Sequence, residues 1–376
     1  MAGELPERNQ NHEIAWPMPV LFEIFIIACG AIMKGLFIPG VTELGASSDS
    51  FPSGIVIPGA NVMTLPPGEW VDLSDIDLTS SALDYRVSFS CASNHAYYSA
   101  DGTIQFAAPD VWPLEYRDGM PVGRHEPEQQ ATNYVMHSAN MVPDSFSGSP
   151  VIAPGAVVAG VQMYDVTLDT AAGGDRFLQY DTKFSTPNAQ ITTSFYVAGS
   201  GSDPAITATN RVMVFGNVAP YLDRRSLLNL STGVATPFAG QESIIDGTRA
   251  ISRDGLYRFS ITLTTQSPVV VVKPRVMLLG DSAKNVTGQI GFLQMESGQV
   301  MSSPVLTTGG AVTRAAAFAS VKNPGGQATS IRLSYSDGTT ADIECPADGS
   351  DTQLPQAAVE WGSRYITRIQ YARALK

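Results

Sequence analysis

The stretch ITTSFYV at residues 191–197 decides how this chain is read. Ile191, Thr193, Phe195 and Val197 fall on one side of an extended backbone, and Thr192, Ser194 and Tyr196 fall on the other, because successive side chains of a strand point to opposite faces. The pattern returns at residues 257–264, YRFSITLT, with Tyr257, Phe259, Ile261 and Leu263 on one side and Arg258, Ser260, Thr262 and Thr264 opposite. Apolar runs at 269–279 and 288–295 add further strands. A period of two repeated this often describes sheets that lay one face on a core. Spread over roughly 150 residues, it predicts an all-β chain whose main unit is a jelly-roll β-sandwich.

Working outward, four segments are expected: 1–80, 81–149, the jelly roll at 150–319, and a small C-terminal β subdomain at 320–376. Residues 1–80 combine an apolar run, Val20 to Ile38, with Pro39-Gly40, Pro58-Gly59 and Pro66-Pro67-Gly68, a rhythm of turn formers that favours short extended pieces. Glu23 and Lys34 interrupt the apolar run and argue against a simple membrane-spanning helix. Three readings of it stand: a buried oligomerisation or docking segment, a pair of core strands split near Gly30, or membrane contact. The opening MAGELPERNQNHE has no basic region of the kind that begins a signal peptide.

In 81–149, Tyr85, Val87 and Phe89 share a strand face, and Asp101-Gly102 and Asp118-Gly119 are turn dipeptides. In the C-terminal segment, Ile331, Leu333 and Tyr335 share one face and Ala341, Ile343 and Cys345 another, on either side of Asp337-Gly338. A two-residue loop would set Leu333 against Asp342 and mismatch the faces. A three-residue loop, Ser336 to Gly338, sets Leu333 against Ala341 and Ile331 against Ile343. Register follows the hydrophobic face, so the three-residue loop is predicted, with Gly338 left-handed at a bulge.

Composition narrows the function. The formal net charge is −12 and only 15% of residues are charged, which disfavours a nucleic-acid partner, since phosphate binding needs clustered Lys and Arg. Cys29, Cys91 and Cys345 are odd in number and lack a C-x-x-C spacing, so three buried thiols are expected, without a disulfide framework or a zinc site. His12, His95, His125 and His137 show no metal-ligand spacing, and no phosphate-binding Gly-rich loop is present. No metal and no cofactor is predicted.

Three stretches carry a resemblance. The first runs Phe89-Ser90-Cys91-Ala92-Ser93, then Tyr97-Tyr98-Ser99-Ala100-Asp101-Gly102-Thr103-Ile104, then Met120-Pro121-Val122-Gly123 and Glu126 to Asn133. The second is Phe292 to Gly298, followed by Ser302-Ser303-Pro304 and Thr313-Arg314-Ala315-Ala316. The third is Trp361 to Leu375, with Ile366-Thr367-Arg368-Ile369 and Tyr371-Ala372-Arg373-Ala374-Leu375. In order and spacing they resemble phage head-spike-fibre and tail-fibre proteins with a carbohydrate-binding-type jelly-roll module, over roughly residues 85–376. Cys91, Ala131, Pro304 and Ala317 depart from that pattern, where the family carries Arg, Arg, Tyr and an acid. The resemblance implies a virion location, other virion proteins of capsid or tail as partners, and a homo-oligomer, a trimer in that family. Arg258 is expected to pack on a neighbouring strand, and Gln294 and Glu296 to bond loop backbone.

The function expected is therefore structural: a non-enzymatic protein of a phage virion surface, head fibre or tail fibre, exposing a jelly roll for attachment or assembly, with residues 1–80 as the anchor. The alternative is a carbohydrate-binding adhesin for a host surface glycan. Sugar binding calls for aromatics stacked on pyranose faces beside polar groups. Tyr164, Tyr180 and Tyr196 on the jelly-roll strands, and Tyr221 with Asp223 and Arg224 in a loop, are the candidates; Tyr196 is placed best because it alternates away from Phe195. Each also reads as a core or rim tyrosine.

A hydrolase is the weakest alternative. Ser145-Phe146-Ser147-Gly148-Ser149-Pro150 echoes the nucleophile segment of trypsin-like proteases, with His95 upstream and Asp101, Asp110 and Asp118 between. Ser145 stands where such enzymes have the glycine of the oxyanion hole, and His95 lies too close to Ser147 for a double barrel. Acids are plentiful, but no pattern pairs two across a cleft as glycan hydrolysis requires.

Overall fold

The structure is a computed structural model; it describes residues 72–143, 145–147, 150–169, 177–199, 207–216, 222–253, 256–266, 271–279 and 285–373. Val20 to Ile38, and nearly all of the 1–80 segment, lie outside the described residues.

Eight strands form the central sandwich: β1 (Val161–Asp169), β2 (Phe177–Gln179), β3 (Gln190–Gly199), β4 (Thr207–Phe215), β5 (Leu222–Asn229), β6 (Leu256–Thr264), β7 (Val271–Leu279) and β8 (Asn285–Ser297). They pair antiparallel as β1-β8-β3-β6 in one sheet and β2-β7-β4-β5 in the other. In this order the chain crosses between sheets at every connection except β4 to β5, which is the jelly-roll path. Val151–Val158 and Gly247–Arg253 extend the first sheet at its two edges, and Ser145–Ser147 and Ala235–Pro237 extend the second.

The alternation that decided the reading is realised strand by strand. Ile191 pairs with Leu263, Thr193 with Ile261, Phe195 with Phe259 and Val197 with Tyr257. The apolar side chains among them meet those of Val212, Leu228, Val276 and Leu278 from the opposite sheet in one core. Phe195 and Phe259 sit edge to face, centroids 5.6 Å apart, an arrangement that satisfies both ring quadrupoles. One irregularity shifts the faces of β8. Ile290 faces the core, yet so do Leu293 and Met295; the change of parity is a bulge in the β3–β8 pairing between Ser194 and Tyr196. Phe292 takes a positive φ there, +49°, and its ring turns away from the sandwich core. The bulge lies beside Gly291, where a Cβ would stand 2.7 Å from Met163 Sδ.

A second, terminal body is built from both ends of the described chain. Ile76–Asp77, Ile366–Arg373, Ala328–Tyr335 and Thr340–Glu344 form one sheet in that order; Val87–Cys91, Ala317–Val321 and Thr352–Gln353 form another. Ile76, Leu78, Trp112, Val321, Leu333, Ile366 and Ile369 share its core. The division into an 81–149 segment and a separate 320–376 subdomain is therefore corrected: strands from both pair with each other, and the jelly roll is inserted between them. Periodicity finds the strands of such a body but not their long-range pairing.

Local turn chemistry behaves as the residues dictate. Leu333 pairs with Ala341 and Ile331 with Ile343. The loop between them is Ser336 to Gly338, closed by Tyr335 N–H on Thr339 O at 2.9 Å, and Gly338 has φ +84°. Asp118 and Gly119 both have positive φ, +52° and +73°, in the two-residue turn that sets Arg117 against Met120. Val87 and Phe89 pack with the terminal core, whereas Tyr85, just before that strand, is 68% exposed. Cys91 and Cys345 are free thiols, the first buried and the second half-buried.

Candidate functional site

The tyrosines expected to present flat faces to a sugar do not share a surface. Tyr196 is 3% exposed: its ring meets Phe292 edge to face, and its hydroxyl lies 3.5 Å from that of Tyr98. Tyr180 is buried in the sandwich core, and Tyr164 packs half-buried against it, its hydroxyl proton held more tightly by burial. Tyr221 lies outside the described residues. Tyr196 and Tyr180 are thus corrected from candidate ligand contacts to packing residues. Tyr196 alternates away from the core as expected, but the face it joins is covered.

The cover is the terminal body. Ala96, Tyr98, Ile104 and Trp361 pack on Val161, Met163, Tyr196, Leu256 and Phe292, making an apolar seam against the outer side of the β1-β8-β3-β6 sheet. Tyr98 stacks on Trp361, centroids 4.7 Å apart, and the Arg253 guanidinium lies 3.5 Å from the centroid of the Tyr98 ring while donating to Tyr365 Oη at 2.9 Å. An apolar notch of about 160 Å³, lined in part by Ile104, Phe106, Gly160, Phe292, Pro304 and Leu306, opens at this seam.

Beside the apolar seam runs a polar one. Glu128 Oε1 accepts the Ser303 backbone N–H at 2.6 Å and pairs with Arg314 at 3.3 Å, both side chains almost fully buried. Asn133 accepts the amides of Val135 and Met295, each at 3.1 Å, and donates to Val305 O at 2.9 Å. Gln294 accepts from Val305 N–H at 2.9 Å, and Glu296 accepts from Ser302 N–H at 3.0 Å and from the Ser302 hydroxyl. Arg258 donates to Ser302 O at 2.6 Å and to Ser194 Oγ at 3.3 Å. Arg258 thus reaches a neighbouring strand, and Gln294 and Glu296 bond loop backbone. At two of the departures from the resembling pattern, the Cys91 thiol donates to Ser93 O and Ala317 N–H donates to Glu128 O, both within this joint.

Burial sets the protonation of the acids. Glu115 is fully buried; its Oε2 accepts Tyr98 N–H at 2.8 Å, and desolvation pushes its pKa up to about 8 against the pull of Arg253. Desolvation also raises Glu296. Glu128 is equally buried, but Arg314, His125 and the Ser303 amide together outweigh desolvation and the net shift is downward. Burial lowers His125 to about 4, so in the neutral range Arg314 and Ser303 do that holding. His95, the histidine of the protease-like order, packs at ring-centroid distances of 5.4 Å from both Phe89 and His125. Of the acids in that order, Asp101 binds Ser99 and Thr103, and Asp110 accepts Cys91 N–H. Ser147 lies on the strand Ser145–Ser147.

Asp223 and Arg224, expected in a loop, are corrected to strand β5; Asp223 stands opposite Met213 and Arg224 opposite Val212, so they point to opposite sides of the sheet. Asp223 makes a two-bond fork with Arg211 of β4, 2.9 and 2.7 Å. Arg224 donates to Asp223 O at 2.8 Å. In register, Arg211 stands opposite Arg225 on one side and opposite Arg275 on the other, and Arg275 stands opposite Gln179. Three arginines therefore sit side by side across β5, β4 and β7, on the side of the β2-β7-β4-β5 sheet away from the core. Burial works to raise Asp223, but Arg211, Arg225 and Arg275 bring it below the ordinary value.

No family model and no curated protein matches this chain. Among solved structures it is similar to an exo-β-agarase (10% identity, 44% of this chain and 25% of that one, TM-score 0.28). It is also similar to a putative sugar-binding protein from Bacteroides thetaiotaomicron VPI-5482 (9% identity, 46% and 100%, TM-score 0.24). A third likeness is to the infectious bursal disease virus Gt strain structure (10% identity, 83% and 62%, TM-score 0.24). This chain spans a quarter of the agarase it is compared with.

Proposed function

We propose that this chain is a non-enzymatic structural protein of a phage virion surface, of head-fibre or tail-fibre type, which holds an outward-facing jelly roll on a terminal body. In this reading residues 1–80 anchor a homotrimer to other virion proteins. The observation that carries it is where the resembling stretches meet. Tyr98, Glu128, Asn133, Gln294, Glu296, Ser302, Ser303, Arg314 and Trp361 come from all three stretches and converge on the joint between the two bodies. Polar groups this deeply buried and mutually bonded favour one geometry, because a half-satisfied network is costly. A fixed joint suits a part that must project a domain from a particle.

The test is incorporation. A chain lacking residues 1–45 is expected to remain a soluble β-rich protein by circular dichroism and to be missing from particles assembled by phage that encode it. Particles that retain the truncated protein at normal copy number would end the anchoring part of the proposal.

A further inference from the structure

The outermost strands of the two sandwich sheets are not alike. Ser145–Ser147 and Ala235–Pro237 are three residues long, and Gly247–Arg253 carries Arg249, whose side chain is 59% exposed, and Arg253. Short edge strands and edge charges keep an open row of backbone groups from meeting another chain. The fourth edge, Val151–Val158, has eight residues, VIAPGAVV, and no charge; Val151 and Val157 are 68% and 64% exposed. The uncharged stretch runs from Ser145 to Tyr164 in a chain whose formal net charge is −12. Pro154 has no N–H to give and the strand is bulged, devices that stop an edge from adding any extended chain. They leave its apolar side chains open all the same.

The strand is also matched to itself. Turned about a two-fold axis between Pro154 and Gly155, it sets Val151 on Val158, Ile152 on Val157 and Ala153 on Ala156, and it gives each Pro154 ring a glycine to face. In a regular strand this match would fail, because residues an odd number apart point to opposite faces. The bulge between Pro154 and Val157 restores it. Val158 stands opposite Val161 of β1 and Val151 opposite Thr167, both on the outer side of the sheet. Val157 stands opposite Gln162 and Ile152 opposite Val166, both on the side of the sandwich core. Each pair made by the two-fold therefore shares a face.

We infer that Val151–Val158 is a contact between two copies of this chain, set antiparallel across a two-fold axis. Such a contact uses one patch twice, so the patch must be complementary to itself; the match of size and face along this strand meets that requirement. Two copies of an acidic chain repel in most approaches, and they meet without repulsion where neither carries charge. A partner of opposite sign gains nothing from an uncharged strip. The contact is separate from the three-fold assembly proposed for residues 1–80, and it does not rest on the virion-surface reading.

The experiment uses the full chain in two arms. In sedimentation equilibrium over a concentration series, Val151→Asp/Val157→Asp sets like charges against each other across the axis and is expected to weaken self-association at least about tenfold. Val234→Asp, at an exposed valine outside the edge (56% exposed), should leave it unchanged. In the second arm the chains are oxidised mildly and run without reductant. Val151→Cys/Val158→Cys is expected to form a disulfide-linked pair of chains, because the two positions stand opposite each other across the axis, whereas neither single variant does. Melting curves separate misfolding from lost association, since these substitutions lie on an edge strand and leave the sandwich core intact. Equal self-association by the Asp variant and the wild type would overturn the inference. So would failure of the double Cys variant to link, or single variants that link as readily as the double. None of these results depends on whether the chain is found in particles.

Discussion

Arg314→Met measures what holds the joint together. Arg314 and Glu128 have side chains 2% and 5% exposed, and removing one partner of a buried pair strands the other charge at a cost of about 3–5 kcal/mol. Glu128 has one way out, which is to take up a proton. Without Arg314, desolvation is left as the main influence on it, the situation of Glu115, whose pKa stands at about 8. The unfolded carboxyl titrates near 4.5. Keeping it protonated at pH 7 then costs on the order of 3 kcal/mol, and at pH 5 under about 1 kcal/mol. In the wild type the sign is opposite: a depressed folded pKa contributes stability that is present above the unfolded value and lost as pH falls through the folded one. The deficit of Arg314→Met should therefore grow from about 1 to about 3 kcal/mol between about pH 5 and pH 7. Urea unfolding followed by tryptophan fluorescence, extrapolated linearly to water, reads it. Adding Glu128→Gln should restore most of the loss at pH 7. A deficit that ignores pH, or a double variant no better than the single, would refute this account of the joint.

Three further outcomes follow from the same geometry. Glu115, with a folded pKa of about 8, favours the folded state while protonated, so stability should fall as pH rises from about 5 to about 9; Glu115→Gln should flatten the melting-temperature profile across that window. Gly160 and Gly240 share φ +79°, but a Cβ at Gly160 would stand 2.7 Å from Ile104 O whereas one at Gly240 meets nothing within 4 Å. Gly240→Ala should accordingly cost about 1 kcal/mol and Gly160→Ala at least twice that, compared by chemical denaturation. Phe259→Ala empties a fully buried core site and should cost about 3–5 kcal/mol, while Tyr196→Phe, which removes only a hydroxyl 3.5 Å from Tyr98 Oη, should cost under about 1 kcal/mol by the same assay.

The sandwich was legible because Ile191, Phe195, Phe259 and Ile261 lie at a spacing that only an extended chain brings to one face. The Ser336–Gly338 loop was legible for a related reason: one residue more or less would have turned Ile343 outward. The seam was not. Arg258, Thr262, Gln294 and Glu296 have the alternation and polarity of a solvated face, and the residues that cover it come from around 95–107, 301–305 and 361, too remote in sequence for periodicity to connect. That is also why Tyr196 passed for an exposed aromatic. The bulge at Phe292 could not be foreseen from a bulky residue that seldom takes a positive φ. Each arginine of the outer row sits on the polar side of its own strand, which the sequence does show. That Arg211, Arg225 and Arg275 stand opposite one another is a fact of register between strands up to 64 positions apart.

On the proposed reading, the jelly roll is carried on the outside of a particle. Antibody fragments raised against residues 150–319 and imaged on intact, unopened virions test it most directly. The account predicts that they decorate the particle surface at regular, symmetry-related positions; absence of the chain from purified virions, or labelling only after the particles are broken open, would contradict it.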